Sequence, residues 1–272
     1  MPKIATLILN RNLPDVSNRL VEHLKKYNGD ISDYFVIESG SDEDKLSKYY
    51  KFWANWPEAR EFGLHYCRGF NYGLIELDKE RKYDYYFFVT GDSNFRNEPT
   101  IRILLDKMEQ NPKFGIISPL SPHWGEIAFF SEKDDTKCVW LIPHVAWLFR
   151  RSYLDKIIEK NSPSYMNYFY DGTNFRGYDA DTELMVKAYL NDFAVAITSK
   201  AQFYEDLDLT DKNADVMKTE RKNIHKKLMF EEGLAWMKRK YGFNSKWEMR
   251  DWAKKVYNEF FERNPDYKKF KI

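Results

Sequence analysis

The chain opens with a compact apolar run, Ile4–Leu9, of strand length, and the apolar positions that follow fall at a different spacing. After Pro14, which suits a first helical turn, Val16, Leu20, Leu24 and Tyr27 recur at helical intervals until Asn28-Gly29 stops the helix. Tyr34–Ile37 and Tyr85–Val89 are further strand-length runs, the second ending at Thr90-Gly91-Asp92. Ile101, Leu104, Leu105 and Met108 form a helical stripe after Pro99 that breaks at Asn111-Pro112, and Phe114–Ser118 is another short strand. Short buried strands alternating with amphipathic helices predict an α/β fold with a mostly parallel sheet. Such sheets bind ligands at the carboxyl ends of their strands.

After Pro119 the alternation lapses. Residues 120–138 read as a long polar and aromatic loop, and loops of that length in a compact domain are functional or mobile. Val139–Phe149 resumes as apolar sequence, Ser152–Lys160 is helical, and a helix over Asp181–Leu190 leads into a strand at Phe193–Thr198. Residues 205–222 are polar and aperiodic, and Ile224–Tyr241 and Trp247–Phe261 read as two amphipathic helices. The expected organisation is one α/β domain over 1–205, then a lid segment and a helical C-terminal extension over 206–272.

Composition narrows the function classes. A chain of 272 residues can bury the core of one large domain. Its net charge of +1 sets up no overall field toward nucleic acid or membrane. Residues 211–272 are net basic on a net acidic remainder, which suits either a phosphate site or a solvated helical face. The tail's interleaved acids argue against tracking nucleic acid. Aromatic residues make up 17%, and Tyr and Trp rings either stack on sugar faces or fill the core. Cys67 and Cys138 have no metal or redox spacing and suit a reducing compartment. The first apolar run is too short for a signal peptide, and no stretch reaches the length of a membrane span, so a soluble cytoplasmic protein is expected. There is no phosphate-binding Gly-rich loop, dinucleotide fingerprint, zinc-protease motif or serine elbow.

What remains is a series of acids at the ends of predicted strands. Glu38 closes the second in Val36-Ile37-Glu38-Ser39-Gly40-Ser41-Asp42, and Asp92 closes the third in Phe88-Val89-Thr90-Gly91-Asp92-Ser93-Asn94. Asp179 and Asp181 open a helix in Gly177-Tyr178-Asp179-Ala180-Asp181. One such acid is ordinarily a turn residue or a helix cap. Three at one sheet edge point to a ligand site.

The order of these segments resembles the inverting family 2 glycosyltransferases of GT-A fold. Their first strand ends in an Asn-containing turn, as Asn10-Arg11-Asn12 does, and their second in Asp-x-Gly-Ser, similar to Glu38-Ser39-Gly40-Ser41. An Arg-x-x-Asn-x-Gly segment resembles Arg68-Gly69-Phe70-Asn71-Tyr72-Gly73, and the Asp-x-Asp metal motif resembles Asp92-Ser93-Asn94. Trp147-Leu148-Phe149-Arg150-Arg151 is similar to a strand ending in a basic pair, and Tyr178-Asp179-Ala180-Asp181 to the Glu-Asp-x-Asp that carries the base. The likeness covers about residues 3–205.

The resemblance implies a glycosyltransferase that moves a sugar from a nucleotide-sugar donor, expected to be a UDP-sugar, to a hydroxyl acceptor such as a glycan. Asp179 would be the base, or a helix N-cap. Asn10, Arg11, Glu38, Arg68, Asn71, Asp92 and Ser93 would bind donor, with Glu38 receiving the N3–H of uracil or merely starting a turn. A divalent cation, Mn or Mg, would sit on Asp92, Asn94 and Glu205. Asn94 brings no charge to that set, so the basic tail is the alternative partner for the diphosphate. Trp124 and His144 would line the acceptor site, His144 equally suiting a structural role, and Asp181 would orient the site or cap the helix. A retaining transferase on the same fold and a degenerate sugar-nucleotide-binding module are the competing readings.

Overall fold

The computed structural model describes residues 2–131 and 134–272. Two residues of the expected 120–138 loop, 132 and 133, therefore lie outside the described set. Strand β1 (Ile4–Asn10) is buried along almost its whole length between β2 (Ser32–Glu38) and β4 (Tyr85–Thr90), both parallel to it. That double burial explains why Ile4–Leu9 carries no polar alternation. Helix α1 (Pro14–Asn28) returns the chain from β1 to β2, burying Leu20, Val21 and Leu24. Beyond β2 come β3 (Tyr50–Trp53), α2 (Pro57–Phe62) and α3 (His65–Glu80), which leads back to β4 on the other flank of β1. The sheet order thus reverses at β1, and a crevice opens there at the carboxyl ends of β1 and β4.

The rest of the sheet is mixed. In chain order follow β5 (Ser93–Phe95), α4 (Thr100–Gln110), β6 (Phe114–Leu120), β7 (Thr136–Cys138), β8 (Ala146–Arg150), α5 (Arg151–Ile157), α6 (Ala180–Leu190) and β9 (Ala194–Glu205). The strands lie in the order β3-β2-β1-β4-β8-β6-β9-β5, with β7 on β9. Strand β8 is antiparallel to both β4 and β6. This direction puts its end, Arg150-Arg151, at the edge of the sheet opposite the crevice. There Arg151 pairs with Asp78 at 2.7 Å and Arg150 donates to the Tyr85 hydroxyl at 2.7 Å. The basic pair singled out in the sequence is therefore part of the framework.

Strands β3, β5 and β7 have no counterpart in the sequence reading, being three or four residues long and too short to show a period. After β9 come the single turn α7 (Leu209–Lys212) and the long helices α8 (Lys222–Tyr241) and α9 (Lys246–Arg263). Helix α9 packs on α6 and sends Val256, Tyr257, Phe260 and Phe261 into the main core. The C-terminal helices are built into the domain. No helix among the described residues is long and apolar enough to cross a membrane.

Candidate active site

Two cavities adjoin in the crevice, and Tyr66 and Arg176 line both. The first, about 330 Å³, takes its floor from Asn10-Arg11 at the end of β1 and Thr90-Gly91-Asp92 at the end of β4. Leu209, Met217 and Thr219, from the segment after β9, also line it. Asn12, at φ 57°, turns the chain away from β1. Its side-chain amide donates to Asp42 at 3.1 Å and to the Val216 carbonyl at 2.7 Å. Lys218 reaches Asp42 at 2.6 Å. The polar stretch 206–221 is thereby clasped over the cavity.

Four expected donor contacts are corrected by where their side chains go. Glu38 is fully buried outside the cavity, and both its oxygens are occupied. One accepts from Asn10 at 2.9 Å and from the Ser41 hydroxyl, and the other from the Ser47 backbone at 2.7 Å. Burial raises its carboxyl above the ordinary value while those bonds pull it down. Buried away from the cavity lining, with three acceptor positions taken by its own turns, Glu38 holds those turns together. Gly40 completes that corner: at φ +76° a Cβ there would lie 1.8 Å from the Ala59 carbonyl oxygen.

Asn71, also fully buried, donates to the carbonyls of Tyr165 and Tyr170 at 3.0 and 2.9 Å and accepts from the backbone of Phe169 and Tyr170. Arg68 donates to the Gly172 carbonyl at 2.8 Å, with its guanidinium 4.4 Å from the Phe175 ring centre. Both are clamps for the irregular stretch that carries the chain from α5 to α6. Ser93 lines a separate groove between α1 and β5. Asn10, Arg11 and Asp92 do line the first cavity.

The expected metal set does not converge. Asp92 faces the first cavity, whereas Asn94 lines the same outer groove as Ser93. Glu205 lies opposite Ser93 in the β5–β9 pair, and burial followed by the charge of Asp92 raises its carboxyl above the usual range. Asp92 is itself raised by burial. No group of three or more His, Cys, Asp or Glu side chains that could hold a metal exists among the described residues.

The second cavity, about 530 Å³, gathers Trp124, His144, Asp179 and Asp181. Asp179 sits at the N-cap position of α6 at φ 53° but makes no side-chain cap. One of its oxygens accepts from Thr182 at 3.1 Å and faces Arg250 at 3.4 Å, and the other is buried without a partner. Burial raises its carboxyl, against the pull of Arg250. Asp181 is pushed up to about 7 by burial and then by the charge of Asp179. His144, stacked 4.5 Å from Trp147, is lowered to about 3 by burial and stays neutral. Its Nδ1 meets the Tyr170 hydroxyl, and its Nε2 has no partner. Trp124 is held edge-on against Phe203 at 5.4 Å.

Several lining residues escaped the sequence reading: Tyr66, His65, Arg176, His225 and Arg250. Tyr66 donates to the Gly177 carbonyl at 2.6 Å, and a Cβ at Gly177 would strike its ring at 2.1 Å. That glycine, two positions before Asp179, was the available signal for a backbone approached closely. Nothing local to α9 marks Arg250.

No family model matches the chain. GalNAc-T7, solved with UDP, GalNAc and Mn2+, superposes with a TM-score of 0.61 at 9% identity, over 96% of this chain and 57% of that one. Mannosyltransferase PcManGT from Pyrobaculum calidifontis, solved with GDP-Man and Mn2+, gives 0.59 at 10% identity, over 88% of this chain and 64% of that one. The fold is GT-A. Among curated proteins, procollagen-lysine,2-oxoglutarate 5-dioxygenase 2 of Homo sapiens is 26% identical over 175 residues, 54% of this chain and 21% of that protein. The chain thus spans about a fifth of that relative and less than two thirds of either structure.

Proposed function

We propose that the chain is a glycosyltransferase that takes a sugar from a nucleoside-diphosphate donor and passes it, with inversion, to an acceptor hydroxyl. The carrying observation is the pair of adjoining cavities: one ends the strands at the reversal of a GT-A sheet, and the other holds two carboxyl groups. The nucleotides named with the two solved neighbours, UDP and GDP-Man, are of the class that the first cavity would take. The dioxygenase in the human relative's name describes a protein nearly five times as long as the matched region, and the two cavities support transfer.

In this reading the nucleotide lies over Asn10-Arg11, with Asp92 accepting from a ribose hydroxyl. The anomeric carbon lies beside the wall made by Tyr66 and Arg176. The acceptor sugar rests on Trp124 in the second cavity. Its hydroxyl oxygen attacks the anomeric carbon, the bond to the diphosphate breaks, and the unpartnered oxygen of Asp179 takes the proton. A base is more effective the nearer its pKa lies to the working pH, and burial moves the carboxyls of both Asp179 and Asp181 upward in that direction. Segment 206–222 acts as the lid: the Asn12–Val216 and Asp42–Lys218 contacts open to admit donor and close to exclude water.

A divalent cation accompanies both neighbours. Here Asp92 lines the first cavity while Asn94 lies in a separate groove, and no three or more His, Cys, Asp or Glu side chains among the described residues gather to hold a metal, so the residues present do not fit such an ion, and no step is routed through one.

The test is Asp179→Asn assayed against nucleotide sugars and hydroxyl acceptors. Transfer should fall by ~10²–10⁴-fold while donor binding persists, because an amide cannot take the proton. Undiminished transfer in this variant would remove Asp179 as the base.

A further inference from the structure

The wall between the two cavities contains an anion niche. Arg176 lines both cavities and its side chain is 9% exposed. Its two terminal nitrogens meet Glu220 of the lid and Glu232 of α8, while its buried Nε has no partner. Glu220 is shared. One oxygen meets Arg176 and the other faces Nδ1 of His225 at 3.4 Å, with the Thr219 hydroxyl at 3.2 Å. Arg176, His225 and Thr219 all line the first cavity. A carboxylate therefore stands among a guanidinium, an imidazole and a hydroxyl that line the first cavity. Arg11, also lining that cavity, has a second buried Nε without a partner.

We propose that Arg176 is the cation that neutralises the leaving diphosphate, and that Glu220 holds its place until donor binds. The proposal rests on the transferase reading above and names the group that performs a step that reading requires. Bond breaking at the anomeric carbon leaves its electron pair on the diphosphate oxygen, so positive charge must be waiting at that oxygen. The acids near the cavity do not assemble a metal site, whereas a guanidinium is fixed where the two cavities join. A guanidinium offers paired donors in the geometry that phosphate oxygens accept. Glu220 presents one anionic oxygen to that guanidinium and the other to His225 and Thr219. The diphosphate displaces this carboxylate, and because Glu220 belongs to the lid, the exchange couples donor arrival to lid movement.

The experiment is calorimetric titration of the full chain with UDP, GDP and inorganic pyrophosphate, in EDTA and in Mn2+, for wild type, Arg176→Gln and Glu220→Gln. Wild type should bind in EDTA, Arg176→Gln should bind at least about tenfold more weakly, and Glu220→Gln should bind more tightly. The gain in Glu220→Gln is the readout that a folding defect cannot mimic. Binding that needs Mn2+ and is indifferent to Arg176→Gln would overturn the proposal and leave the transferase reading standing, as would equal or weaker binding in Glu220→Gln. No binding of any nucleotide or pyrophosphate, with or without Mn2+, would overturn both.

Discussion

At the scale of single residues, the molecule separates side chains that hold the site from side chains that face it. Asp181 belongs to the second kind and is costly. Its folded-state pKa of about 7 stands above the ordinary value of 3.8, so burial disfavours its charged form. Its contribution to stability is complete below pH ~4 and is lost as pH rises through about 7. Asp181→Asn should therefore melt higher than wild type at pH 8 and show no such gain at pH 4. It should also shift the acid limb of transfer to lower pH, because one of two coupled carboxyls is gone. Equal melting at both pH values would contradict the burial argument. Asn71 belongs to the first kind: Asn71→Ala removes four hydrogen bonds to backbone groups and should cost roughly 2–4 kcal/mol in a denaturant melt, with little change in affinity for nucleotide. A variant of full stability and lost affinity would restore Asn71 to the donor site. This division was only half legible in the sequence. Asp92, Asp179 and Asp181 could be found because acids at strand and helix ends are polar where the chain must face solvent or ligand. Glu38, Arg68 and Asn71 have the same residue types in equally suggestive spacing, but which way a side chain points depends on partners as far as 104 positions away, such as the Gly172 carbonyl for Arg68.

At the scale of elements, the long periodic segments were legible, and the short or interrupted ones were not. Helix α1 keeps its apolar stripe for fifteen residues and ends near the Asn28-Gly29 stop. Strand β8 reads in sequence like any buried strand; its antiparallel direction depends on the path of the loop before it, and this direction puts Arg150-Arg151 at the sheet edge opposite the crevice. The stretch 205–222 was legible as polar and aperiodic, but its contacts with Asn12 and Asp42 were not. Those contacts give the lid a test. The Lys218–Asp42 pair is partly exposed and worth at most ~1 kcal/mol, so Asp42→Ala should leave global stability nearly unchanged. Proteolysis within 206–222 should nonetheless speed up, and saturating nucleoside diphosphate should slow it in wild type. Cleavage indifferent to ligand would remove the lid.

At the scale of the whole molecule, the uneven charge of the sequence becomes internal complementarity. Lys240 reaches both Asp171 and Glu183 at 2.7 Å, and Arg250 faces Asp179, so part of the basic tail is spent on acids of the body. The tail also completes the second cavity through Met229 and Arg250, and the core through α9. The result is one unit in which the first half supplies the floor of the first cavity and residues of both halves line the second. The melting temperature of wild type in millimolar UDP, GDP and their sugar conjugates tests that claim most directly. At about a hundred times its dissociation constant a ligand adds ~2.7 kcal/mol, so at least one nucleoside diphosphate should raise the melt, and Asp92→Asn should shrink the shift. A melt unmoved by every nucleoside diphosphate, with and without Mn2+, would contradict the account.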